Sequence, residues 1–268
     1  MNAAERLRQL VLGAGGIDLA LYKSRCLERR IALRQRAAGA PDLESYVALV
    51  GRDPAERRRL VQALTIHVSQ FFRNPTTFQA LRQQVLPAIL AEKRQHGGRA
   101  LRFWSVGCAC GEEAYSLALL LLDAAPEALT QYSCAIYGTD IDAGCLRMAE
   151  QAVYPAGSLA HLPRAWRERY FTPAGGRWAL LPAVRQLVTF RRHNVLDAPP
   201  VRRVDLLLFR NVLIYMTEPL QERLLCALHE VMTPGGFLVL GKVEGLPGPA
   251  ARRFRPVNVP ERIYRRAE

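Results

Sequence analysis

Three short stretches of this chain hold the residue types that bind and orient a cofactor. The first is Gly107-Cys108-Ala109-Cys110-Gly111-Glu112-Glu113, which follows a β-rich run and opens a helical pattern. Gly107 and Gly111 let backbone approach a ligand closely, as in nucleotide-binding turns. The spacing is not G-x-G-x-x-G, and no lysine follows as in a phosphate-binding loop. Two carboxylates at the helix start repel a pyrophosphate and suit a cationic ligand such as an amino group or a sulfonium. The second stretch ends in Asp140, where an acidic side chain after a strand accepts hydrogen bonds from ribose hydroxyls. Asp140 lies 29 positions beyond Gly111, against a usual spacing of about 20, and the polar linker 123–133 takes up the excess. The third is Arg210-Asn211-Val212-Leu213-Ile214-Tyr215, where polar groups appear abruptly after an apolar run. Taken singly, a glycine pair is a turn and an aspartate is a helix cap. Three such features at the ends of three successive strands mark a ligand site of an open α/β sheet.

The elements that must position these residues follow from periodicity. Residues 1–70 contain no convincing alternating strand, and their apolar residues recur at helical spacing: Leu7, Leu10 and Val11, then Tyr22, Cys26 and Leu33, then Tyr46, Leu49 and Val50. Asp42 and Asp53-Pro54 read as helix starts. From about residue 100 the pattern becomes strand, turn, helix. Leu101–Val106, Cys134–Thr139, Val204–Phe209 and Phe237–Gly241 read as strands, with helices through Ala114–Leu122, Cys145–Ala152 and Pro219–Met232. This alternation predicts a doubly wound, Rossmann-like α/β sheet. Residues 155–195 break the rhythm with Pro163, Pro173, Gly175-Gly176 and Pro182. Short candidate strands near Trp178–Leu181 and Leu187–Arg191 make this a small antiparallel insertion. The expected division is a helical domain over 1–72 and a cofactor domain over 73–268, with the insertion at about 155–195.

Composition narrows the class. Half of the 268 residues are hydrophobic, ample for a core. No run reaches the roughly 18 apolar residues of a membrane span, and the N-terminus is charged where a signal peptide is apolar. A cytoplasmic protein is expected. The six cysteines are scattered and read as reduced thiols; Cys108-x-Cys110 is too tight for a usual zinc knuckle, and no H-x-x-x-H pair occurs, so no metal is expected. With 37 basic and 24 acidic residues the net charge is +13, which suits an anionic partner: nucleic acid, a membrane surface or an acidic protein. In the helix expected from near Leu19, Lys23, Arg30 and Arg34 form one basic stripe, and Arg25, Arg29 and Arg36 another.

At these residues the chain resembles the chemotaxis receptor methyltransferases of the CheR type. The resemblance covers nearly the whole length. It rests on the basic run from Tyr22 to Ile31; on Thr65-Ile66-His67-Val68-Ser69-Gln70-Phe71-Phe72-Arg73; and on Trp104-Ser105-Val106-Gly107-Cys108 with Gly111-Glu112-Glu113-Ala114-Tyr115-Ser116. Gly138-Thr139-Asp140-Ile141-Asp142, Asn194-Val195-Leu196 and Arg210–Tyr215 complete it. It implies an all-helical first domain, an S-adenosylmethionine domain and an inserted β-subdomain. Carried over by position, it implies cofactor contacts at His67, Ser69, Arg73, Glu113, Asp140, Asn194, Val195, Arg210 and Asn211, beside Gly107 and Gly111. His67, Ser69 and Ala114 stand where relatives often have Asn, Thr and Pro. Gly241-Lys242-Val243-Glu244 replaces a commoner Gly-His-Ser-Glu. The implied reaction is methyl esterification of glutamate side chains on chemoreceptors, giving S-adenosylhomocysteine as second product. Arg73 and Tyr215 are the expected catalytic residues, holding and orienting the incoming carboxylate. The expected partners are acidic, glutamate-rich receptor helices met by a monomer, with no membrane insertion and no nucleic acid.

Two rival functions are weighed by sequence. An amino-methylating nucleic-acid enzyme would carry a Pro-Pro-aromatic motif after Asn211, where Val212-Leu213-Ile214 stand instead. A non-catalytic adaptor would have lost Arg73, Glu113 or Asp140, and all three are present.

Overall fold

The computed structural model describes residues 1–65 and 69–267. It divides into two compact units, Met1–His67 with Tyr215–Gln221, and Val68–Ile214 with Glu222–Glu268.

The first unit is helical: α1 (Ala3–Gly15), α2 (Ser24–Ala37), α3 (Leu43–Arg52) and α4 (Pro54–Leu64). Each expected cap is made. Asp42 accepts the Ser45 amide at 2.8 Å, and Asp53 accepts that of Ala55 at 2.7 Å with Pro54 at the first helical turn. Leu7 and Val11 of α1 are buried, as are Tyr46, Val47 and Val50 of α3 and Leu60 of α4. The helix expected from near Leu19 begins later. Asp18 caps a single 3-10 turn at Leu19–Leu21, Tyr22 is extended and pairs with Met216, and α2 starts only at Ser24. Inside this unit Arg34 grips Glu56 with two nitrogens, at 2.8 and 2.6 Å, and the Tyr46 hydroxyl donates to the same carboxylate at 3.1 Å.

Among its described residues the second unit holds ten strands: β1 (Ala100–Val106), β2 (Ser133–Asp140), β3 (Val153–Tyr154), β4 (Phe171–Ala174), β5 (Arg177–Leu180), β6 (Val188–Arg192), β7 (Val204–Phe209), β8 (Met232–Leu240), β9 (Phe254–Asn258) and β10 (Ile263–Arg266). Seven form one sheet in the order β6-β2-β1-β7-β8-β10-β9. The first five are parallel, while β10 runs antiparallel to β8 and to β9. All six residues of β7 are buried, which is why its sequence is almost continuously apolar. The helix Glu112–Ala124 buries Leu117, Ala118 and Leu119, and the helix Ala143–Gln151 buries Cys145, Leu146 and Ala149. Strand order reverses between β1 and β7: the chain goes from β1 outward to β2 and β6, then returns to β7 and leaves toward β8. A ligand site is expected at the carboxyl ends beside that reversal.

The insertion is smaller than the sequence suggests. Its antiparallel sheet has the order β3-β5-β4. The stretch expected near Leu187–Arg191 is instead β6, an edge strand of the large sheet, parallel to β2 from Val188 to Arg192. Its alternation is that of any half-covered strand, so period alone does not say which sheet it joins. The strand expected at Phe237–Gly241 starts earlier, at Met232, and β9 and β10 were not anticipated. Among the described residues no helix is long and apolar enough to cross a membrane.

Candidate active site

The loop between β1 and the helix Glu112–Ala124 is shaped by its glycines. Gly107 has φ +70° and Gly111 φ +91°, a region costly for residues with a side chain. Space is closed as well. A Cβ on Gly107 would stand 2.8 Å from Val212, across the strand-order reversal, and one on Gly111 would stand 2.8 Å from both Ala149 and Phe190. The amides of Gly107 and Cys108 both donate to the Thr139 carbonyl, at 2.8 and 3.0 Å, which ties the loop to the end of β2.

Asp140 sits at that strand end and organises what surrounds it. One carboxylate oxygen accepts the Ala109 amide at 2.9 Å and the other accepts the Asp142 amide at 2.9 Å. Ala109 is held at φ +50°. Asp142 caps the next helix through the amides of Gly144 and Cys145. The Asp140 carbonyl accepts the His193 amide at 2.9 Å, which brings the Asn194-Val195 turn beside it. Asn194 Oδ1 closes that turn on the Leu196 amide at 3.1 Å.

Arg210, at the end of β7, is buried at 4% exposure and makes a strut rather than an open binding group. Its Nη1 donates to Glu113 Oε2 at 3.0 Å, and its Nη2 donates to the Arg73 carbonyl at 3.0 Å and to Asn74 Oδ1 at 2.7 Å. The other Glu113 oxygen accepts the Ser105 hydroxyl at 2.7 Å. Glu112 is buried, its carboxyl hydrogen-bonded by Ser69 and Ser158, and burial pushes it above the usual carboxylate range. The paired glutamates therefore do not present two open charges to a ligand, as their adjacency in sequence suggests. One is desolvated and the other is neutralised by Arg210. Ser69 and Arg73 are half-buried in the same unit, and the Phe72 amide donates to Ser116 at 2.9 Å. His67 lies outside the described residues. Tyr215 belongs to the helical unit, where its carbonyl accepts the Lys23 amide at 2.8 Å and Arg30 covers its ring at 5.9 Å.

Sequence reasoning missed the anchor of the loop after β7. Glu244 is buried and accepts the amides of Gly241, Asn211 and Ile214, at 2.6, 2.8 and 3.2 Å. Those bonds hold Asn211 at φ +61°. Burial raises the Glu244 carboxyl and the amides oppose it. The signal was present: of the altered segment Gly241-Lys242-Val243-Glu244, the two residues that make these bonds are the two that match the common pattern.

The residues brought together fit S-adenosylmethionine. The Asp140 carboxylate is oriented by two amides at the end of the second strand, and the loop that carries Gly107 and Gly111 is fixed beside it. The comparisons with known proteins agree. A model of the "CheR methyltransferase, SAM binding domain" matches residues 67–263, and one of the "CheR methyltransferase, all-alpha domain" matches residues 2–65. The chain belongs to the CheR methyltransferase family. Chemotaxis protein methyltransferase 2 of Pseudomonas aeruginosa is 33% identical over 248 residues, covering 90% of this chain and 85% of that protein. The probable biofilm formation methyltransferase WspC of Pseudomonas putida is 38% identical over 86% of this chain and 54% of its own length. A 104.1 kDa protein from the hypE 3′ region of Rhodobacter capsulatus is 36% identical over 91% of this chain, which spans 26% of that protein. This CheR-family chain is thus an S-adenosylmethionine-dependent methyltransferase of the chemotaxis type, with the helical domain and the small inserted antiparallel sheet that the resemblance implied.

Proposed function

We propose that this CheR-family methyltransferase esterifies glutamate side chains on the cytoplasmic helices of bacterial chemoreceptors. The observation that carries the reading is a strongly basic chain, of net charge +13, built around a cofactor site whose Glu112 is buried and whose Glu113 is paired with Arg210. S-adenosylmethionine supplies the methyl group. A glutamate side chain, with an ordinary pKa near 4.3, is already ionised and nucleophilic at neutral pH. No general base is required, so the protein's contribution is to orient the carboxylate and control charge.

The principal site residues have these roles under this reading. Asp140, Asn194 and Val195 hold the nucleoside portion at the ends of β2 and β6, and Gly107 and Gly111 shape the loop beside it. Glu113 and Arg210 brace the strand-order reversal. Arg210 also fixes Arg73 by its carbonyl, and the Arg73 guanidinium receives the incoming carboxylate bidentately. Tyr215 is the second catalytic residue that the resemblance implies, and Tyr215→Phe is expected to lower turnover more than cofactor affinity. Residues 1–72 serve the receptor, residues 73–268 the chemistry, and the enzyme works as a cytoplasmic monomer. Mass spectrometry of receptor peptides after incubation with the enzyme and S-adenosylmethionine tests the reading. One added methylene on glutamate, lost in mild base, is expected; modification of lysine, arginine or nucleic acid instead would exclude it.

A further inference from the structure

The sequence places Cys110 and Cys145 thirty-five positions apart, yet their sulfurs lie 3.2 Å from each other. Cys110 belongs to the loop 107–111 and is partly exposed; Cys145, in the first turn of the helix Ala143–Gln151, is buried at 7% exposure. The Met148 sulfur lies 4.0 Å from Cys110, and the carboxylates of Asp142 and Asp140 act on Cys145. A covalent disulfide needs a sulfur separation of about 2.05 Å, roughly 1.2 Å less than the present gap. Cys108, Cys134 and Cys226 also carry free thiols, and Cys108 is buried.

We infer that Cys110 and Cys145 are a reversible oxidation site whose disulfide lowers the affinity of the neighbouring cofactor site. Cys110, the exposed partner, reacts first. Its thiolate attacks a small disulfide, whose S–S bond breaks; one small thiol leaves and a mixed disulfide remains on Cys110. Cys145 then loses its proton and attacks the Cys110 sulfur, forming the Cys110–Cys145 bond and expelling the second small thiol. The two cysteines together give up two electrons, the small disulfide takes them, and both protons end on the released thiols. A thiol reductant reverses the sequence. Such transient bridges are the usual form of disulfide in a reducing compartment.

The loop transmits the bridge because it has little slack. Cys110 lies between Ala109 at φ +50° and Gly111 at φ +91°. Its carbonyl accepts the Tyr154 hydroxyl at 2.8 Å, and the preceding amide is the one that orients Asp140. Drawing Cys110 onto the helix therefore strains the bond between Ala109 and Asp140. This coupling rests on the reading of Asp140 as the ribose-binding residue.

The test uses the full chain with oxidised glutathione, followed by acid quenching, alkylation and peptide mapping. Calorimetry with S-adenosylhomocysteine is run before oxidation, after it, and after dithiothreitol. A Cys110–Cys145 cross-linked peptide is expected, with the dissociation constant raised at least tenfold and restored by reductant. Cys110→Ser and Cys145→Ser are expected to bind the ligand identically before and after the oxidant, whatever their starting affinity. Absence of the cross-link, or a bridged protein that binds as tightly as the reduced one, overturns the inference. Reduced protein that does not bind S-adenosylhomocysteine overturns the cofactor reading and the coupling with it, while the cross-link map is read independently of both.

Discussion

Arg210 at the end of β7 and Glu113 in the first turn of the helix after β1 form a 3.0 Å ion pair across the reversal in strand order. The Arg210 side chain is 1% exposed and that of Glu113 15%, so removing either partner strands a charge in a poor solvent. Glu113→Ala is expected to cost about 3–5 kcal/mol of stability, and the double variant Glu113→Ala/Arg210→Met less than the sum of the single changes. Urea unfolding of the four proteins measures this. Additive single effects would mean that the two side chains act independently.

Asp140→Ala removes the acceptor for the Ala109 and Asp142 amides along with the proposed ribose contact. S-adenosylmethionine and S-adenosylhomocysteine are expected to bind more weakly by about 1–3 kcal/mol, equally for both because they share the ribose. Calorimetry that finds unchanged affinity removes Asp140 from the site.

The helical unit has an acid-sensitive clamp. The hydrogen bonds from Arg34 hold Glu56 below its ordinary value of 4.5, as does the Tyr46 hydroxyl, against the opposing effect of burial. A lowered folded-state value means that the unfolded chain binds the proton more readily. The stabilisation is then complete above pH 4.5 and is lost as pH falls through the folded value. Glu56→Gln is expected to unfold at lower temperature than the parent at pH 7, with the gap narrowing below about pH 4. A gap that stays constant with pH would show that Glu56 contributes only by packing.

The two basic stripes of α2 have different fates. Arg34 is taken by Glu56, and Arg30 donates to the Ala63 carbonyl at 2.7 Å and covers Tyr215. Arg25, Arg29 and Arg36 are exposed, as is Lys23 just before the helix. Under the proposed function, Arg25, Arg29 and Arg36 are the arginines of this helix left to meet an acidic receptor helix. Arg25→Glu/Arg29→Glu is expected to raise the apparent receptor KM severalfold at low salt, leave cofactor affinity intact and remove much of the salt sensitivity. Receptor methylation at two ionic strengths reads it. Unchanged receptor kinetics with lost binding to duplex DNA would return the charge to the nucleic-acid reading.

What could be read from the sequence was local. The apolar run Val204–Phe209 is a strand buried along its whole length, and Asp42 and Asp53 cap the helices that they precede. Gly107, Gly111 and Asp140 converge because strand ends in a parallel sheet lie side by side. Partners distant in sequence were not legible. The spacing of Arg34 reports a helix face, not that Glu56, 22 positions on, claims it. Glu112 and Glu113 look alike in sequence, and only packing desolvates one and pairs the other. The strands Phe254–Asn258, at the sheet edge, and Ile263–Arg266, beside it, carry arginines and, in the first, a proline, so the apolar alternation that marks a strand is thin there. The contact between Cys110 and Cys145 joins two elements, and no local period encodes it.

The most direct measurement incubates the purified chain with methyl-labelled S-adenosylmethionine and receptor-rich membranes, then treats the separated proteins with mild base. Label on a receptor band, released by base as a methyl ester is, and reduced at least severalfold when Asp140→Ala replaces the parent at limiting cofactor, is the expected result. Label that resists base, or that appears on nucleic acid and on no receptor, would contradict glutamate methylation as the function of this chain.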